Sequence, residues 1–153
     1  MGVPTLVLVR DPEGSVLSHL VREPWVTVGQ ALASWVRFYE HVVPWRDGVV
    51  TAAFDQVTTD FGAVIRDVNE RFATGFAEFE HTDTNVERCF SVIEQRNHAR
   101  YGSVREQMIA RPSAEREALK DDARRRYEDE RLAGLRGRAA DVFQALVPST
   151  SLS

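Results

Sequence analysis

The sequence predicts a mainly α-helical fold: an antiparallel four-helix bundle of long helices with an N-terminal β-hairpin. Three observations lead to this prediction. Apolar residues recur at steps of three and four along most of the 153-residue chain, which is the period of one helix face. Capping residues and prolines divide that pattern into four segments. The length fits a single domain, residues 1–153, with one core.

A β-hairpin is predicted over residues 5–21. Residues 5–9 are β-branched or aliphatic, and Asp11-Pro12-Glu13-Gly14 places proline and glycine where a turn favours them. Residues 16–21 would form the returning strand. An isolated hairpin is only marginally stable in water. We therefore expect the hairpin to pack on the helices or to extend a sheet supplied by a neighbouring subunit.

The first two helices are predicted over residues 28–43 and 47–80. A capping box of Thr27 and Gln30 starts the first helix, and Pro44 ends it. The second, with Asp47 as its N-cap, would run for about nine turns. Its apolar face is continuous and defines the centre of the expected core: Val50, Phe54, Val57, Phe61, Val64, Ile65, Val68, Phe72, Phe76 and Phe79.

The last two helices are predicted over residues 84–110 and 113–147. A second capping box, Thr84 with Glu87, starts the third helix. Asn97 falls in its apolar face, where it would either fix the packing register, as in coiled coils, or lie exposed at a partly open seam. Ser113 would cap the fourth helix. The charged first half of that helix is expected to project into solvent or to lie at the rim of a contact.

Charge favours antiparallel pairing of the second and third helices. Residues 47–81 hold seven acids and two arginines, a formal charge of −5, whereas residues 88–111 hold five arginines and two glutamates, a formal charge of +3. Each exposed ion pair contributes only about 0–1 kcal/mol. Such ion pairs therefore influence which two helices pair more than they stabilise the pairing.

The single cysteine, Cys89, lies among apolar residues and is expected to be buried. Three tryptophans suggest either a binding cage or core packing, and core packing is favoured because they flank and line one predicted helix: Trp25, Trp35 and Trp45. One cysteine cannot form an internal disulfide, which fits a reducing compartment. No stretch reaches the roughly 20 apolar residues that a membrane span needs. We expect a location in the cytoplasm or in an assembled particle, without secretion and without a transmembrane segment.

The sequence contains no recognisable catalytic motif. The histidines are scattered over different predicted elements: His19, His41, His81 and His98. Glu78 and His81 have the Glu-x-x-His spacing of ferritin-like metal sites, but the further ligands of such a site are missing. We expect no enzymatic activity, no cofactor, no metal and no small-molecule substrate, with a ferritin-like metal protein as an alternative.

Arg124, Arg125 and Arg126 form the best anion-binding candidate, because three guanidinium groups within one helical turn can bind phosphates. The acids around them favour a second interpretation, in which the arginines form ion pairs along their own helix. The formal net charge of −4 argues against a protein that coats nucleic acid with its whole surface.

Three short segments resemble the coat proteins of rod-shaped, tobamovirus-like plant viruses. They are residues 49–57, Asp83-Thr84 with the following Arg88, and residues 122–129. The resemblance implies a small helical-bundle subunit that stacks around RNA. It also implies that Arg88, Arg125 and Arg126 face the RNA, with Asp129 close by. The predicted hairpin and the unbroken long helix depart from the family pattern.

The leading hypothesis is a non-enzymatic structural subunit that self-associates into a homo-oligomer, with a virion or particle component as one instance. Its contacts are expected on the hairpin and the C-terminal helix: Leu6, Leu8, Val16, Leu20, Tyr127, Leu135 and Phe143. RNA is a candidate partner. The alternative is a regulatory adaptor that binds another protein through the charged C-terminal helix.

Overall fold

The computed structural model describes residues 3–102 and 114–147. In this part of the chain the elements are β1 (Leu6–Val9), α1 (Pro12–Arg22), α2 (Val28–Val42), β2 (Val50–Ala53), α3 (Phe54–Thr59), α4 (Phe61–Phe72), α5 (Asp83–Tyr101), α6 (Ala114–Tyr127) and α7 (Ala133–Leu146). Short 3-10 turns span Val43–Gly48 and Glu130–Leu132. The mainly helical class is confirmed. None of the described helices is long and apolar enough to cross a membrane.

The predicted β-hairpin over residues 5–21 is wrong, because its second half is α1. β1 pairs instead with β2, in parallel, with Leu6 opposite Val50 and Val9 opposite Ala53. Parallel strands need a long crossover connection. Here α1 and α2 supply it.

Asp11-Pro12-Glu13-Gly14 starts a helix rather than a turn. The Asp11 carboxylate accepts a hydrogen bond from the Gly14 N–H, Pro12 occupies the first turn of the helix, and Glu13 adds a negative charge near the helix N-terminus. The same residue types are favoured in turns. The spacing of the buried residues of α1 is helical: Val16, Leu17, Leu20 and Val21.

The continuous helix predicted over residues 47–80 is also wrong. The chain forms β2, α3 and α4 in this region and then an irregular segment over residues 73–82. A new cap interrupts the helical path, because the Asp60 side chain accepts a hydrogen bond from the Ala63 N–H at 3.0 Å. The helix ends at Ala73, which has a left-handed backbone with φ of 52°.

Segment 73–82 runs back along α4. The Asn69 side chain holds its start, accepting hydrogen bonds from the Thr74 hydroxyl and the Phe76 N–H. Gly62 allows close approach farther along, because a Cβ there would lie 2.5 Å from the carbonyl oxygen of Phe79. The segment thereby takes the place beside α4 that the third helix was predicted to occupy, and α5 does not pack lengthwise on α4 among the described residues.

Helix α2 confirms the prediction over residues 28–43, including its capping box. The Gln30 N–H donates to the Thr27 hydroxyl at 3.2 Å, and the Thr27 N–H donates to the Gln30 side chain at 3.0 Å. α5 confirms the start of the third helix within one residue, but its cap is Thr82 rather than Thr84. Residues 103–110 of that prediction lie outside the described residues.

The fourth predicted helix, residues 113–147, is divided into α6 and α7 by a 3-10 turn. Residue 113 lies outside the described part. α6 packs on α1 rather than projecting into solvent. Ala123 and Tyr127 of α6 are buried.

The main core lies between α1, α2, α6 and α7, with β1 covering one end. Its buried members are Val9, Val16, Leu17, Leu20, Val28, Ala31, Leu32, Trp35, Val36, Ala123, Tyr127, Ala139, Val142 and Leu146. Full burial of a leucine or valine side chain stabilises the fold by about 1.5–3 kcal/mol. The expectation that residues 47–80 form its centre is therefore wrong, since Val64 and Val68 of α4 are buried outside this cluster.

Polar and cation–π contacts tie the strands to the helices. The Tyr39 hydroxyl donates to the Leu8 carbonyl at 2.8 Å, and the Thr51 hydroxyl donates to the Leu146 carbonyl at 2.9 Å. The Arg10 guanidinium lies 4.3 Å from the ring centre of Phe54, at the ends of both strands.

We expect Gly62→Ala to lower the free energy of unfolding by about 1–3 kcal/mol, because the new methyl group would clash with the Phe79 carbonyl. Gly137→Ala is the matched control. It lies in α7 with open space around the added carbon and should raise stability by up to about 1 kcal/mol. Urea unfolding followed by circular dichroism measures both values. Equal effects of the two substitutions would contradict the packing of segment 73–82.

Asp129 provides a pH test of the turn between α6 and α7. Hydrogen bonds from the Arg131 side chain and its backbone N–H lower the pKa of Asp129 from 3.8 to about 2. Because the folded-state pKa is depressed, the associated stability is present above pH 3.8 and is lost as the pH falls toward 2.

In an NMR titration, we expect Arg131→Ala to move the pKa of Asp129 upward, toward 3.8. Arg138→Ala, whose guanidinium pairs with Glu40 instead, should leave that pKa unchanged. An unaltered titration in the Arg131 variant would disprove the assigned cause.

Candidate interaction surface

An open groove of about 700 Å³ lies between segment 73–82 and α5. We call it the α5 groove. Its apolar lining residues are Phe79, Cys89, Val92 and Ile93, and its polar lining residues are Glu78, Glu80, Asn85 and Arg88. Five of the lining residues belong to α5. They are spaced three and four positions apart and therefore share one face of the helix: Asn85, Arg88, Cys89, Val92 and Ile93.

The cap of α5 positions this groove. The Thr82 hydroxyl accepts a hydrogen bond from the Asn85 N–H, and the Asn85 side chain donates to the Glu80 carbonyl at 2.9 Å. The Phe79 ring packs 6.2 Å from that of Phe61, centre to centre. Segment 73–82 is therefore fixed to both α4 and the first turn of α5.

The charges of the groove are only partly balanced. The Arg66 guanidinium donates to the Glu78 carboxylate at 2.7 Å, and this hydrogen bond raises the pKa of Arg66. Glu80 and Arg88 form no ion pair within the part of the chain that the structure describes. The groove thus combines an apolar lining with one acid and one base that have no partner of opposite charge there.

Much of the apolar lining is open to solvent. Val92 is 41% exposed and Ile93 is 37% exposed. Cys89 is exposed as well, so its expected burial is wrong. Successive residues of a helix point in different directions. Cys89 therefore faces the groove, whereas its neighbour Phe90 is half-buried. A contiguous exposed apolar patch of this kind is typical of an interaction site.

A second groove of about 550 Å³ lies beside β1, α2 and the turn that follows α2. We call it the aromatic groove. It is lined by Thr5, Val7, Ser34, Arg37, Phe38, His41, Val42, Trp45 and Val49. Phe38 is 61% exposed and Trp45 is 72% exposed. The expectation of core packing holds for Trp35 and is wrong for Trp25 and Trp45.

A third cavity, of about 450 Å³, lies between α1 and α2 and includes Ser15 and His19. The His19 Nε2 atom lies 3.6 Å from the Glu23 carboxylate. Ser15, His19 and Glu23 therefore share one helix face at steps of four. Among the described residues, the Ser15 hydroxyl makes no hydrogen bond to His19. The arrangement lacks the contact that activates a serine nucleophile.

The structure places the predicted anion-binding residues on two different helices. Arg88 lies on α5 and lines the α5 groove. The other three lie on α6 and pair with acids: Arg124 with Glu13 and Asp121, and Arg125 and Arg126 with Asp122. The positive charge of the α6 cluster is thus largely balanced within the chain.

The residues predicted to contact a partner also fall into two groups. Leu6 and Leu8 are exposed on β1. The others are buried in the core or packed against it: Val16, Leu20, Tyr127, Leu135 and Phe143. Burial raises the pKa of the Tyr127 phenol. A partner can therefore reach Leu6 and Leu8 but not the fully buried members.

The Glu-x-x-His pair does not assemble a metal site among the described residues. The Glu78 carboxylate is held by Arg66, and the His81 Nδ1 atom faces the Phe61 N–H at 3.5 Å. No group of three or more potential metal ligands is present in residues 3–102 and 114–147.

The sequence did not reveal that most apolar residues of the two grooves are accessible to solvent. Phe79 is partly exposed, and the exposed ones are Phe38, Trp45, Cys89, Val92 and Ile93. A signal was present on α5, where Cys89 and Val92 widen the apolar face beyond a narrow stripe. For Trp45, the preceding Pro44 ends the helix, and segments that connect helices and strands run over the protein surface.

Comparison with known proteins finds no match: no family model, no curated protein and no solved structure is similar to this chain. Function therefore has to be inferred from the geometry and charge of the described residues.

Cys89 allows a direct test of the α5 groove. In dilute solution, we expect a maleimide fluorophore to label the folded chain at Cys89 nearly as fast as the urea-unfolded chain, because the thiol is exposed. Mass spectrometry counts one label per chain, since Cys89 is the single cysteine. Labelling that requires unfolding would show that the groove is closed.

Proposed function

We propose that this protein is a non-enzymatic subunit that self-associates through the α5 groove. One observation carries the proposal: an exposed apolar lining flanked by an acid and a base, Glu80 and Arg88, that have no ion-pair partner in the described residues. A twofold contact presents the same surface from both copies. Glu80 of one copy can then lie opposite Arg88 of the other.

The apolar lining would supply most of the affinity. Phe79, Val92 and Ile93 are each partly exposed in the single chain, and complete burial of such a side chain is worth about 1.5–3 kcal/mol. An ion pair at the rim contributes only about 0–1 kcal/mol. Its role is to fix the orientation of the two copies and to disfavour other arrangements.

An antiparallel contact between the two α5 helices fits the distribution of these residues. The α5 positions that line the groove run from Asn85 to Ile93 and share one helix face. In an antiparallel contact, Glu80 of one copy meets Arg88 of the other when the twofold axis lies near the first turn of α5, midway between these two positions. The two helices would then lie about 8–10 Å apart.

A particle component is one form that such a subunit can take, and it needs a further contact beyond a closed dimer. The coat-protein resemblance motivates RNA as an additional partner. The ion pairs of Arg124, Arg125 and Arg126 make that cluster a weaker candidate than free arginines would be.

The adaptor hypothesis receives support from the aromatic groove rather than from α6. The charges of α6 pair within the chain, and α6 packs on α1. The aromatic groove instead exposes Phe38 and Trp45, residue types that are enriched at protein interfaces.

We expect Arg88→Glu and Glu80→Arg each to shift the protein toward monomer, because like charges would then face each other across the twofold contact. The double variant should recover the wild-type association. Sedimentation velocity over a concentration series gives the dissociation constant for each form.

Arg96→Glu is the matched control, because Arg96 is an exposed arginine of the same helix that does not line the groove. It should leave the dissociation constant unchanged. A strictly monomeric wild type at high micromolar concentration would refute the proposal. So would equal effects of the Arg88 and Arg96 variants.

A further inference from the structure

We propose that the aromatic groove is a docking site for an acidic peptide segment of another protein, with aromatic or aliphatic side chains that fill the groove. This inference goes beyond self-association. It concerns a surface that shares no lining residue with the α5 groove.

The shape and lining of the groove suit apolar side chains. Val7, Val42 and Val49 come from three different segments and converge on one concave surface. Phe38 and Trp45 also line it and leave most of their surface free. Tryptophan and arginine are the residue types that most often dominate the binding energy of protein interfaces.

The charge of the groove selects an acidic partner. Its lining includes Arg37 and His41 and contains no carboxylate. The Arg37 guanidinium forms no ion pair among the described residues. Glu40, three positions after Arg37 on α2, is already paired with Arg138 at 2.6 Å. A carboxylate of a partner would therefore be the first counter-charge to reach Arg37.

The groove is preformed in the single chain. The Tyr39 hydroxyl donates to the Leu8 carbonyl, which joins α2 to β1, and burial raises the pKa of this phenol. The His41 Nδ1–H donates to the Arg37 carbonyl at 2.6 Å. Because these contacts fix α2 against β1, a peptide would bind with little ordering cost in the backbone of these two walls.

Two other occupants fit less well. A nucleic acid strand could stack on Phe38 and Trp45, but the chain has a net charge of −4 and the groove has an apolar valine lining rather than a row of cations. A twofold contact would bring two copies of this groove, each with Arg37 and without a carboxylate, against each other. The groove carries one sign of charge and is therefore not complementary to itself.

The test is selection of a random peptide phage library on the full-length wild-type protein. We expect enrichment of peptides that combine Asp or Glu with Trp, Phe or Leu. A fluorescent version of the best peptide then gives affinities by anisotropy. The double variant Phe38→Ser/Trp45→Ser should weaken binding by more than about tenfold, with unchanged circular dichroism as the check on folding.

Charge reversal identifies the contact with Arg37. A second selection on Arg37→Glu should favour Lys-containing or Arg-containing peptides in place of acidic ones. Arg22→Glu, an exposed arginine on α1 outside the groove, is the matched control and should keep the acidic preference. Arg88→Glu should also retain peptide binding, which separates this result from the fate of the self-association proposal.

Three outcomes would overturn the inference. The first is enrichment of peptides without acids on the wild type, or of peptides whose binding ignores the Phe38, Trp45 and Arg37 substitutions. The second is displacement of the peptide by polyuridylate at equal affinity, which would indicate a nucleic acid site. The third is conversion of a wild-type oligomer to monomer by Phe38→Ser/Trp45→Ser, which would assign the groove to a second copy.

Discussion

The parallel pairing of β1 with β2 is the constraint on which the rest of the structure depends. Two parallel strands cannot be joined by a tight turn, so the chain between them has to cross over the sheet. The crossover consists of α1 and α2, which supply much of the core. It also places the turn with Trp45 at the edge of β2, on the outside of the molecule. The aromatic groove is a direct product of this connection.

Elements that follow from local signals could be predicted from the sequence. Elements whose form depends on pairing with a distant strand could not. The capping box of α2 was predictable because its hydrogen bonds join residues three apart. Asp11-Pro12-Glu13-Gly14 suits both a turn and a helix start, and the choice depends on β2, far along the chain. The helical spacing of the phenylalanines predicted one continuous helix. In the fold they contact different neighbours, since Phe54 lies under Arg10 and Phe61 packs against Phe79.

The exposure of apolar residues on a helix was the other feature that the sequence could not predict. Periodicity shows which residues share a face, but it does not show whether another element covers that face. Cys89 and Trp45 are apolar enough to be buried, yet nothing in the described chain covers them. The two grooves that result differ in charge. One carries both signs and suits a copy of itself, whereas the other carries a single sign and suits a different molecule. The two kinds of contact could therefore coexist on one subunit.

The ion pair between Glu13 and Arg124 joins residues 111 positions apart. The hydrogen bond from the Thr51 hydroxyl to the Leu146 carbonyl spans 95 positions. The first helix therefore remains without part of its cover until the last two helices have left the ribosome. Until then part of the aliphatic face of α1 is open to solvent, which favours aggregation of incomplete chains. Contacts between such distant positions also slow folding. A newly made chain of this protein should depend on chaperones for longer than a helical protein built from neighbouring hairpins.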